Sequence, residues 1–449
     1  MYASGSMIFR SYNNSFLSSL SNRTFANLAA MSVSVRVFPS ARSLFDEPVQ
    51  ILVNGLLPKQ HVTLKATLVD ESGEPFESSA LYQAEKNGEL DLSRSPALDG
   101  SFSGIEPMGL FWSLASKTPY KRMAKRNVET PYIIGIEVHE GASVSGQLLA
   151  KCTTERWFMK EGIMRMPVRE GRIRGTLFLP PGAGPFPGII DLYGSVGGLL
   201  EHRACLLANY GFATLALAYF DFEDLPPGLE NLDLEYFEEA AQFLQKHPKV
   251  KNDGVGVIGI SKGADLALSM ASWLPGIKAA VITSGFNANF YSTLHYKGLI
   301  IPPLRFRMDR IKHIEPQVIY FKDAMDDPRD PKNQDAIIPV EKVQGQLLFL
   351  AGEDDRNIPS VMYMEEAVKR LQKFGKKNFE YYSYPKTGHL IEPPYFPLCL
   401  ASWHKPMGVA VLWGGEAKSH MLAQENVWSK IRAFLWKHLG GEGAVNSKL

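Results

Sequence analysis

Cysteine is scarce in this sequence. Three cysteines, Cys152, Cys205 and Cys399, occur in 449 residues, and none of them lies near another in the chain. The wide spacing matches neither a disulfide framework nor a zinc motif, and the low count indicates a reducing compartment. We therefore expect no metal and no cofactor.

Long apolar runs and an excess of one charge are also missing. No stretch approaches the roughly 18 apolar residues that span a bilayer, which predicts a protein without an integral membrane segment. The 48 Lys and Arg residues nearly balance 47 Asp and Glu residues, for a formal net charge of +1. Nucleic-acid binding usually needs a broad basic field, so we expect no nucleic-acid partner, and any anionic ligand must meet a local patch.

Acidic residues are absent from residues 1–45, which are rich in Ser and Asn and carry Arg10, Arg23, Arg36 and Arg42. This composition is typical of a mitochondrial transit peptide, with a disordered tail as the alternative. We assign residues 1–31 as the leader.

The chain ends in Ser447, Lys448 and Leu449, within a tail that we assign to residues 441–449. This tripeptide is the peroxisomal address when an import receptor can read a free C-terminus, so that receptor is an expected partner. The two ends together predict a protein of the mitochondrial matrix, the peroxisome or both, with the cytosol as the fallback.

Residues 32–160 have the pattern of a β-domain. Short alternating stretches such as "HVTLKATLVD" and "YIIGIEVHE" are separated by turn-forming "DESGEP" and "HEGAS". Their spacing predicts a sandwich of seven or eight strands. A basic run is interpreted as a solvated surface, with phosphate binding as the alternative: Lys117, Lys121, Arg122, Lys125 and Arg126.

Residues 161–440 alternate short apolar strands with longer amphipathic stretches. The predicted strands are 188–194, 211–219, 254–260, 277–285, 346–354 and 379–385. Between them, stretches such as "LEYFEEAAQFLQKH" repeat apolar positions at helical spacing. This order predicts a doubly wound α/β-domain whose ligands bind beyond the carboxyl ends of the strands.

The stretch "GVGVIGISKGAD" places Ser261 between a predicted inner strand and a helix, with Gly259 and Gly263 on either side. The motif G-x-S-x-G is weak by itself. In this context it predicts a nucleophilic serine in a strained turn, where larger side chains at the glycine positions would collide with the neighbouring strand and helix.

A serine nucleophile needs a base and an orienting acid, which follow it in the order acid, then histidine. "LLFLAGEDDRNIP" supplies Glu353, Asp354 and Asp355 after a later strand, and we prefer Asp355, with Asp354 in reserve. The base is predicted to be His389, in the loop after the last strand. His404 and His420 are interpreted as surface or core histidines.

An oxyanion hole should combine two backbone N–H groups. The first is predicted to be that of Lys262, directly after the nucleophile, and the second that of Gly194 or Ser195 in "YGSVGG". The alternative for this loop is an ordinary glycine-rich turn.

About 60 residues separate the strands that end at Gly285 and begin at Gln346, more than a simple connection requires, which predicts a lid. Its apolar part is a candidate lining for a substrate tunnel. Four cations in it are candidate phosphate ligands, with a solvated or structural segment as the alternative: Arg305, Arg307, Arg310 and Lys312.

The segments "GISKGADLALSMASWL", "LFLAGEDDRNIPS", "YPKTGHLIEPPYFPLC" and "WGGEAKSHMLAQENVW" resemble the type I acyl-CoA thioesterases of the family that also contains bile acid-CoA:amino acid N-acyltransferase. The resemblance covers nearly everything from residue 33 to the C-terminus. It implies an α/β-hydrolase catalytic domain after an N-terminal β-sandwich, and a triad of Ser261, Asp355 and His389.

The resemblance also implies acyl-CoA substrates. The phosphates that the four lid cations are candidates to bind would then be those of CoA, with the solvated or structural segment still the alternative. The N-acyltransferase of that family carries cysteine at the nucleophile position, where this chain has Ser261. This difference favours hydrolysis of the thioester through an acyl-serine. The alternatives are transfer of the acyl group to an amino acid and a carboxylesterase activity.

Met31, which precedes the strand-like "SVSVRVFPS", offers a second translation start that would remove the leader. We predict that the full-length chain is imported by mitochondria and that the Met31-started form enters peroxisomes. An import assay on both forms measures this, with removal of the last three residues as the control. Exclusion of both forms from peroxisomes would contradict the hypothesis.

Overall fold

The computed structural model describes residues 32–440, so the predicted leader and the C-terminal tail with Ser447, Lys448 and Leu449 lie outside the described residues. The chain as far as Trp157 forms two β-sheets and one short helix, α1 (Gly109–Trp112). The strands are β1 (Ser34–Phe38), β2 (Arg42–Leu44), β3 (Gln50–Asn54), β4 (His61–Val69), β5 (Pro75–Gln83), β6 (Leu90–Asp91), β7 (Asp99–Gly100), β8 (Ala115–Ser116), β9 (Tyr132–Glu140) and β10 (Leu148–Trp157).

Alternation of side chains builds this sandwich. In β5, every second residue from Phe76 to Tyr82 is buried, because successive side chains of a strand point to opposite faces. The larger sheet has the order β2-β10-β9-β4-β5-β7, with β8 added at β5, and the smaller sheet has the order β1-β3-β6. The ten strands in the described part of this domain exceed the predicted seven or eight. The excess comes from β6, β7 and β8, which have only two residues each and are too short to show an alternating pattern in the sequence.

The chain after Trp157 contains an eight-stranded sheet flanked by helices. Its helices are α2 (His202–Asn209), α3 (Leu234–Lys246), α4 (Lys262–Trp273), α5 (Ser360–Lys373) and α6 (Ala417–Leu439). The strands that follow β10 are β11 (Met164–Val168), β12 (Gly175–Leu179), β13 (Phe186–Leu192), β14 (Ala213–Leu217), β15 (Asn231–Asp233), β16 (Val250–Ile260), β17 (Ile277–Thr283), β18 (Thr293–Tyr296), β19 (Leu299–Ile301), β20 (Lys312–Glu315), β21 (Val318–Tyr320), β22 (Gln346–Gly352), β23 (Phe379–Tyr384), β24 (Ala401–His404) and β25 (Val409–Leu412).

The eight-stranded sheet has the order β11-β12-β14-β13-β16-β17-β22-β23. β12 runs antiparallel to both of its neighbours, and every pair from β14 to β23 is parallel. This is the arrangement of an α/β-hydrolase, so the predicted fold class is confirmed. The six predicted strands correspond to β13, β14, β16, β17, β22 and β23, with ends that differ by a few residues. The carboxyl ends of the parallel strands meet at one edge, where the loops after β13, β16, β22 and β23 come together.

The long connection between β17 and β22 carries four short strands, β18 to β21. β18 pairs with β15, and β21 pairs with β25, which follows the last strand of the large sheet. The predicted lid is therefore joined by backbone hydrogen bonds to two other parts of the catalytic domain.

One apolar core continues from the sandwich into the catalytic domain. Phe158, which is fully buried, packs against Phe45 of the sandwich and Phe396 of the catalytic domain, with ring centroids 5.1 and 6.2 Å away. The buried Asp46 carboxylate accepts hydrogen bonds from Tyr210 Oη and Trp428 Nε1, both at 2.7 Å. The contacts make the two domains one packed unit.

Replacing Phe158 by alanine should lower the free energy of unfolding by about 3–5 kcal/mol, because it removes a fully buried aromatic ring and leaves a cavity. Denaturant titration followed by circular dichroism measures the change. Phe374→Ala, at a side chain that is 55% exposed, is the matched control. A loss for Phe158→Ala no larger than that of the control would contradict the shared core.

Candidate active site

Ser261 lies at a sharp turn between β16 and α4, with φ 55° and ψ −123°. A Cβ on Gly259 would lie 2.1 Å from the Gly263 carbonyl oxygen, and one on Gly263 would lie 2.4 Å from that of Leu192. No real side chain tolerates such distances, so both glycines are required for the turn. The turn projects Ser261 from the edge of the sheet where ligands of this fold bind.

His389 and Asp355 meet in the interior at the same edge. His389 Nδ1 lies 2.8 Å from Asp355 Oδ2, and both side chains are almost fully buried. Asp355 Oδ1 accepts the N–H groups of Asn357 and Ile358 at 2.9 Å. Since the aspartate accepts, the Nδ1 proton of His389 is donated to it, and Nε2 retains the lone pair that a general base needs. Nε2 has no hydrogen-bond partner within residues 32–440.

The glycine-rich loop after β13 passes directly over Ser261. A Cβ on Gly194 would lie 3.1 Å from Ser261 Cβ. Tyr219 Oη donates to the carbonyl oxygens of Tyr193 and Gly194, at 2.6 and 3.1 Å, and thereby fixes the orientation of the loop. The N–H groups of Gly194 and Ser195 donate to no backbone carbonyl in the described part of the chain. Lys262 is the first residue of α4, where helical N–H groups have no partner within the helix.

A cavity of about 340 Å³ brings these groups together. Ser261, His389, Gly194 and Ser195 line it, whereas Asp355 lies behind His389. Its other walls come from residues 120–124 and Arg126 of the N-terminal domain, from the segment between β13 and α2, and from the chain after His389. Candidates from three separate segments of the sequence thus share one cavity between the domains.

The four predicted phosphate ligands lie elsewhere, and none of them lines this cavity. Arg307 pairs with Asp309 at 3.0 Å, Arg310 with Asp326 at 3.1 Å, and Lys312 with Asp323 at 2.7 Å. Arg305 is exposed.

The basic run at 117–126 is not uniformly solvated. Lys117 is exposed and pairs with Glu77, and Lys125 is buried. Lys121, Arg122 and Arg126 line the cavity.

His404 also lines the cavity, although its sequence position indicated a surface or core histidine. Its Nε2 lies 3.2 Å from Ser195 Oγ, and its ring meets Trp413 edge-on, while Trp413 stacks on His389 at 5.5 Å. Burial, and to a smaller extent the neighbouring His389, lowers the pKa of His404 to about 4, so this ring is neutral near pH 7. No local motif marked His404 or Trp413, because tertiary contacts alone bring them to the site.

One wall of the cavity is a buried polar network around Glu392. Tyr193 Oη and Arg122 Nη2 donate to its two oxygens, and His202 Nε2 lies 3.2 Å away. Burial by itself would raise the pKa of Glu392, but Arg122 and His202 hold it well below its usual range. Arg122 therefore ties the N-terminal domain to the loop that carries His389.

His420 of α6 secures that loop from behind. Its Nδ1 accepts the Gly388 N–H at 3.1 Å, and its Nε2 lies 2.9 Å from the Leu390 carbonyl oxygen. The two bonds require a neutral ring with the proton on Nε2. Burial lowers the pKa of His420 to about 4, which maintains this state near neutral pH.

Within residues 32–440 there is no group of three His, Cys, Asp or Glu residues that could hold a metal ion, and no helix there is long and apolar enough to cross a membrane. The fold and the serine turn define an α/β-hydrolase.

Comparison with known proteins narrows this class. The family model "Acyl-CoA thioester hydrolase/BAAT N-terminal region" matches residues 46–170, and "BAAT / Acyl-CoA thioester hydrolase C terminal" matches residues 232–441. Human acyl-coenzyme A thioesterase 2, mitochondrial, is 50% identical over 423 residues, which cover 94% of this chain and 88% of that protein. Human acyl-coenzyme A thioesterase 1 is 50% identical over 421 residues, which cover 93% of this chain and 100% of that protein.

The mouse peroxisomal succinyl-coenzyme A thioesterase is 49% identical over 411 residues, with 91% of this chain and 98% of that protein covered. Among solved structures, a puromycin-hydrolyzing peptidase of Mycobacterium tuberculosis has a TM-score of 0.43 at 13% identity, with 91% of this chain and 68% of that chain covered. The chain belongs to the acyl-CoA thioester hydrolase/BAAT family, which confirms the resemblance seen in the sequence.

Stability should fall as the pH drops from about 6.5 to about 4, in part through His420, since its folded-state pKa of about 4 lies below its usual value of 6.5. In this window the unfolded chain binds a proton that the native ring excludes, with a slope of up to about 1.4 kcal/mol per pH unit. His420→Gln should flatten the slope, measured by denaturant titration at several pH values. His313→Gln, at an exposed histidine, is the matched control. Equal slopes in wild type and His420→Gln would refute this assignment.

Proposed function

We propose that this protein hydrolyses acyl-CoA thioesters to free acids and coenzyme A, with Ser261 as the nucleophile, His389 as the general base and Asp355 as the group that orients His389. The observation that carries the proposal is the hydrogen bond of 2.8 Å between His389 and Asp355, beside the cavity that Ser261 and His389 both line. Membership of the acyl-CoA thioester hydrolase/BAAT family supports the substrate class.

Acylation begins when His389 Nε2 removes the proton of Ser261 Oγ, which attacks the carbonyl carbon of the thioester. The N–H groups of Lys262 and of Gly194 or Ser195 stabilise the negative oxygen of the tetrahedral intermediate. The C–S bond then breaks, and coenzyme A leaves as a thiolate that takes the proton held by His389. Because a thiol has a pKa of about 8.5, this departure needs less acid assistance than that of an amine.

Deacylation repeats the sequence with water. His389 removes a proton from a water molecule, the resulting hydroxide attacks the acyl-serine, and the C–O bond to Ser261 breaks as the proton returns to Oγ. Asp355 stays ionised in this scheme, because its role is to hold the imidazole in the correct tautomer and to stabilise the imidazolium.

We also propose a mitochondrial or peroxisomal location, with the cytosol as the fallback. The support comes from the two terminal signals and from the names of two relatives, one mitochondrial and one peroxisomal. The peroxisomal import receptor would read Ser447, Lys448 and Leu449, which lie outside the described residues.

Ser261→Ala should lower the rate of coenzyme A release by about 10³-fold or more, since it removes the nucleophile. Thiol titration measures release from a panel of short, long, dicarboxylic and bile-acid acyl-CoAs. Ser145→Ala, at an exposed serine of the sandwich, is the matched control.

Wild-type rates in Ser261→Ala would refute the assignment of the nucleophile. Cleavage of simple esters without coenzyme A release would indicate a carboxylesterase. Formation of acyl-amides with added glycine or taurine would indicate an N-acyltransferase.

A further inference from the structure

The segment 117–127, here called the basic arm, crosses from the sandwich to the mouth of the catalytic cavity without helix or strand structure. Three contacts hold it in place. Tyr120 Oη donates to Glu315 of the β17–β22 connection, Arg122 donates to Glu392 after His389, and Lys125 Nζ lies 2.6 Å from Glu71 Oε1. The arm is therefore anchored to both domains.

The contact between Lys125 and Glu71 fixes the backbone of the arm. The Lys125 side chain is only 1% exposed, and its ammonium group lies 4.7 Å from the centre of the Tyr132 ring. Glu71 Oε2 accepts the N–H of Arg126 at 2.7 Å. The contacts with Glu71 thus set the main chain at Arg126, while its side chain extends to the cavity mouth.

Two cations of the arm have no ionic partner. Lys121 and Arg126 are exposed and line the cavity mouth, and no carboxylate of the described chain lies within 4.0 Å of their charged nitrogens. Glu392 is the carboxylate that lines the cavity, and its oxygens are occupied by Arg122 and Tyr193. Lys405 adds a third cation to the lining, although Asp221 pairs with it. The mouth of the cavity is therefore electropositive.

Arg126 lies over the glycine-rich loop rather than beside Ser261. Its Nη1 is 3.6 Å from the position that a Cβ on Gly198 would occupy, at the far end of the loop that begins at Gly194. An anion bound there would stand at the entrance, while Ser261 acts deeper in the cavity. Acyl-CoA has this distribution of charge, because its phosphates are separated from the thioester by the pantetheine chain.

The lid cations offer a weaker alternative. Arg307, Arg310 and Lys312 already pair with carboxylates, and a phosphate would have to displace these partners. Arg305 has no carboxylate within 4.0 Å in the described chain, but it does not line the cavity. Lys121 and Arg126 line the cavity and have no carboxylate within that distance, although Glu74 acts on Lys121 at longer range. We propose that the basic arm binds the phosphate groups of the CoA moiety through Lys121 and Arg126, so that the N-terminal domain selects thioesters of CoA; this inference rests on the proposed function.

The test compares an acyl-CoA with the N-acetylcysteamine thioester of the same acyl group, which lacks phosphates. Lys121→Gln/Arg126→Gln should raise KM for the acyl-CoA at least about tenfold, leave kcat within about twofold, and leave both constants for the phosphate-free thioester unchanged. Raising the salt concentration should raise the wild-type KM for the acyl-CoA more than that of the variant, because exposed ionic contacts are screened. Arg36→Gln/Lys86→Gln removes two exposed charges of the sandwich and is the matched control.

Calorimetric titration of Ser261→Ala with coenzyme A itself separates the arm from the chemistry. Loss of this binding on adding the two arm substitutions supports the inference, even if the wild type hydrolyses no thioester and the proposed function fails. The inference is overturned if the arm variant leaves KM for the acyl-CoA unchanged. It is also overturned if the variant lowers kcat/KM equally for the acyl-CoA and the phosphate-free thioester. If KM for the acyl-CoA alone rises in Arg307→Gln/Lys312→Gln and not in the arm variant, the phosphates bind at the lid. That result would also overturn the inference.

Discussion

The backbone at Ser261 is the constraint on which the catalytic domain depends. Its φ of 55° and ψ of −123° are costly for a residue with a side chain, by about 1–3 kcal/mol. The turn persists because β16 and α4 approach each other closely at Gly259, and because α4 approaches the end of β13 at Gly263. The central strands and the first turn of α4 are thus packed around one unfavourable conformation. That conformation presents a serine at the edge of the sheet.

The imidazole of His389 is held just as firmly, but by distant elements. Asp355 follows β22, Trp413 follows β25, and His420 belongs to α6. Each fixes a different part of the loop: the ring nitrogen, the ring face and the flanking backbone. Since these elements are separated in sequence and share one buried region, the position of the His389 ring depends on the assembly of the whole domain.

The contrast between local and distant contacts explains which features of the fold and of the site could be predicted from the sequence. The strands around Ser261 and the loop of His389 carry local patterns, so the fold class and the three candidate catalytic residues were predicted from the sequence, and the structure brings Asp355 and His389 together. His404 carries no local pattern and reaches the cavity through β24. The charges at 305–312 were visible, but their carboxylate partners were not, because a run of cations does not reveal which of them are neutralised in the folded protein.

The apolar core that joins the domains has a consequence for the evolution of specificity. The sandwich supplies one side of the cavity and the catalytic domain the other, so the space between them depends on how closely aromatic rings such as Phe45, Phe158 and Phe396 pack. A change in ring size at Phe45 or Phe158, neither of which lines the cavity, would alter this packing and thereby the spacing between the two sides of the cavity. Substrate range in such a protein is adjustable at a distance, through the packing of its domain contact.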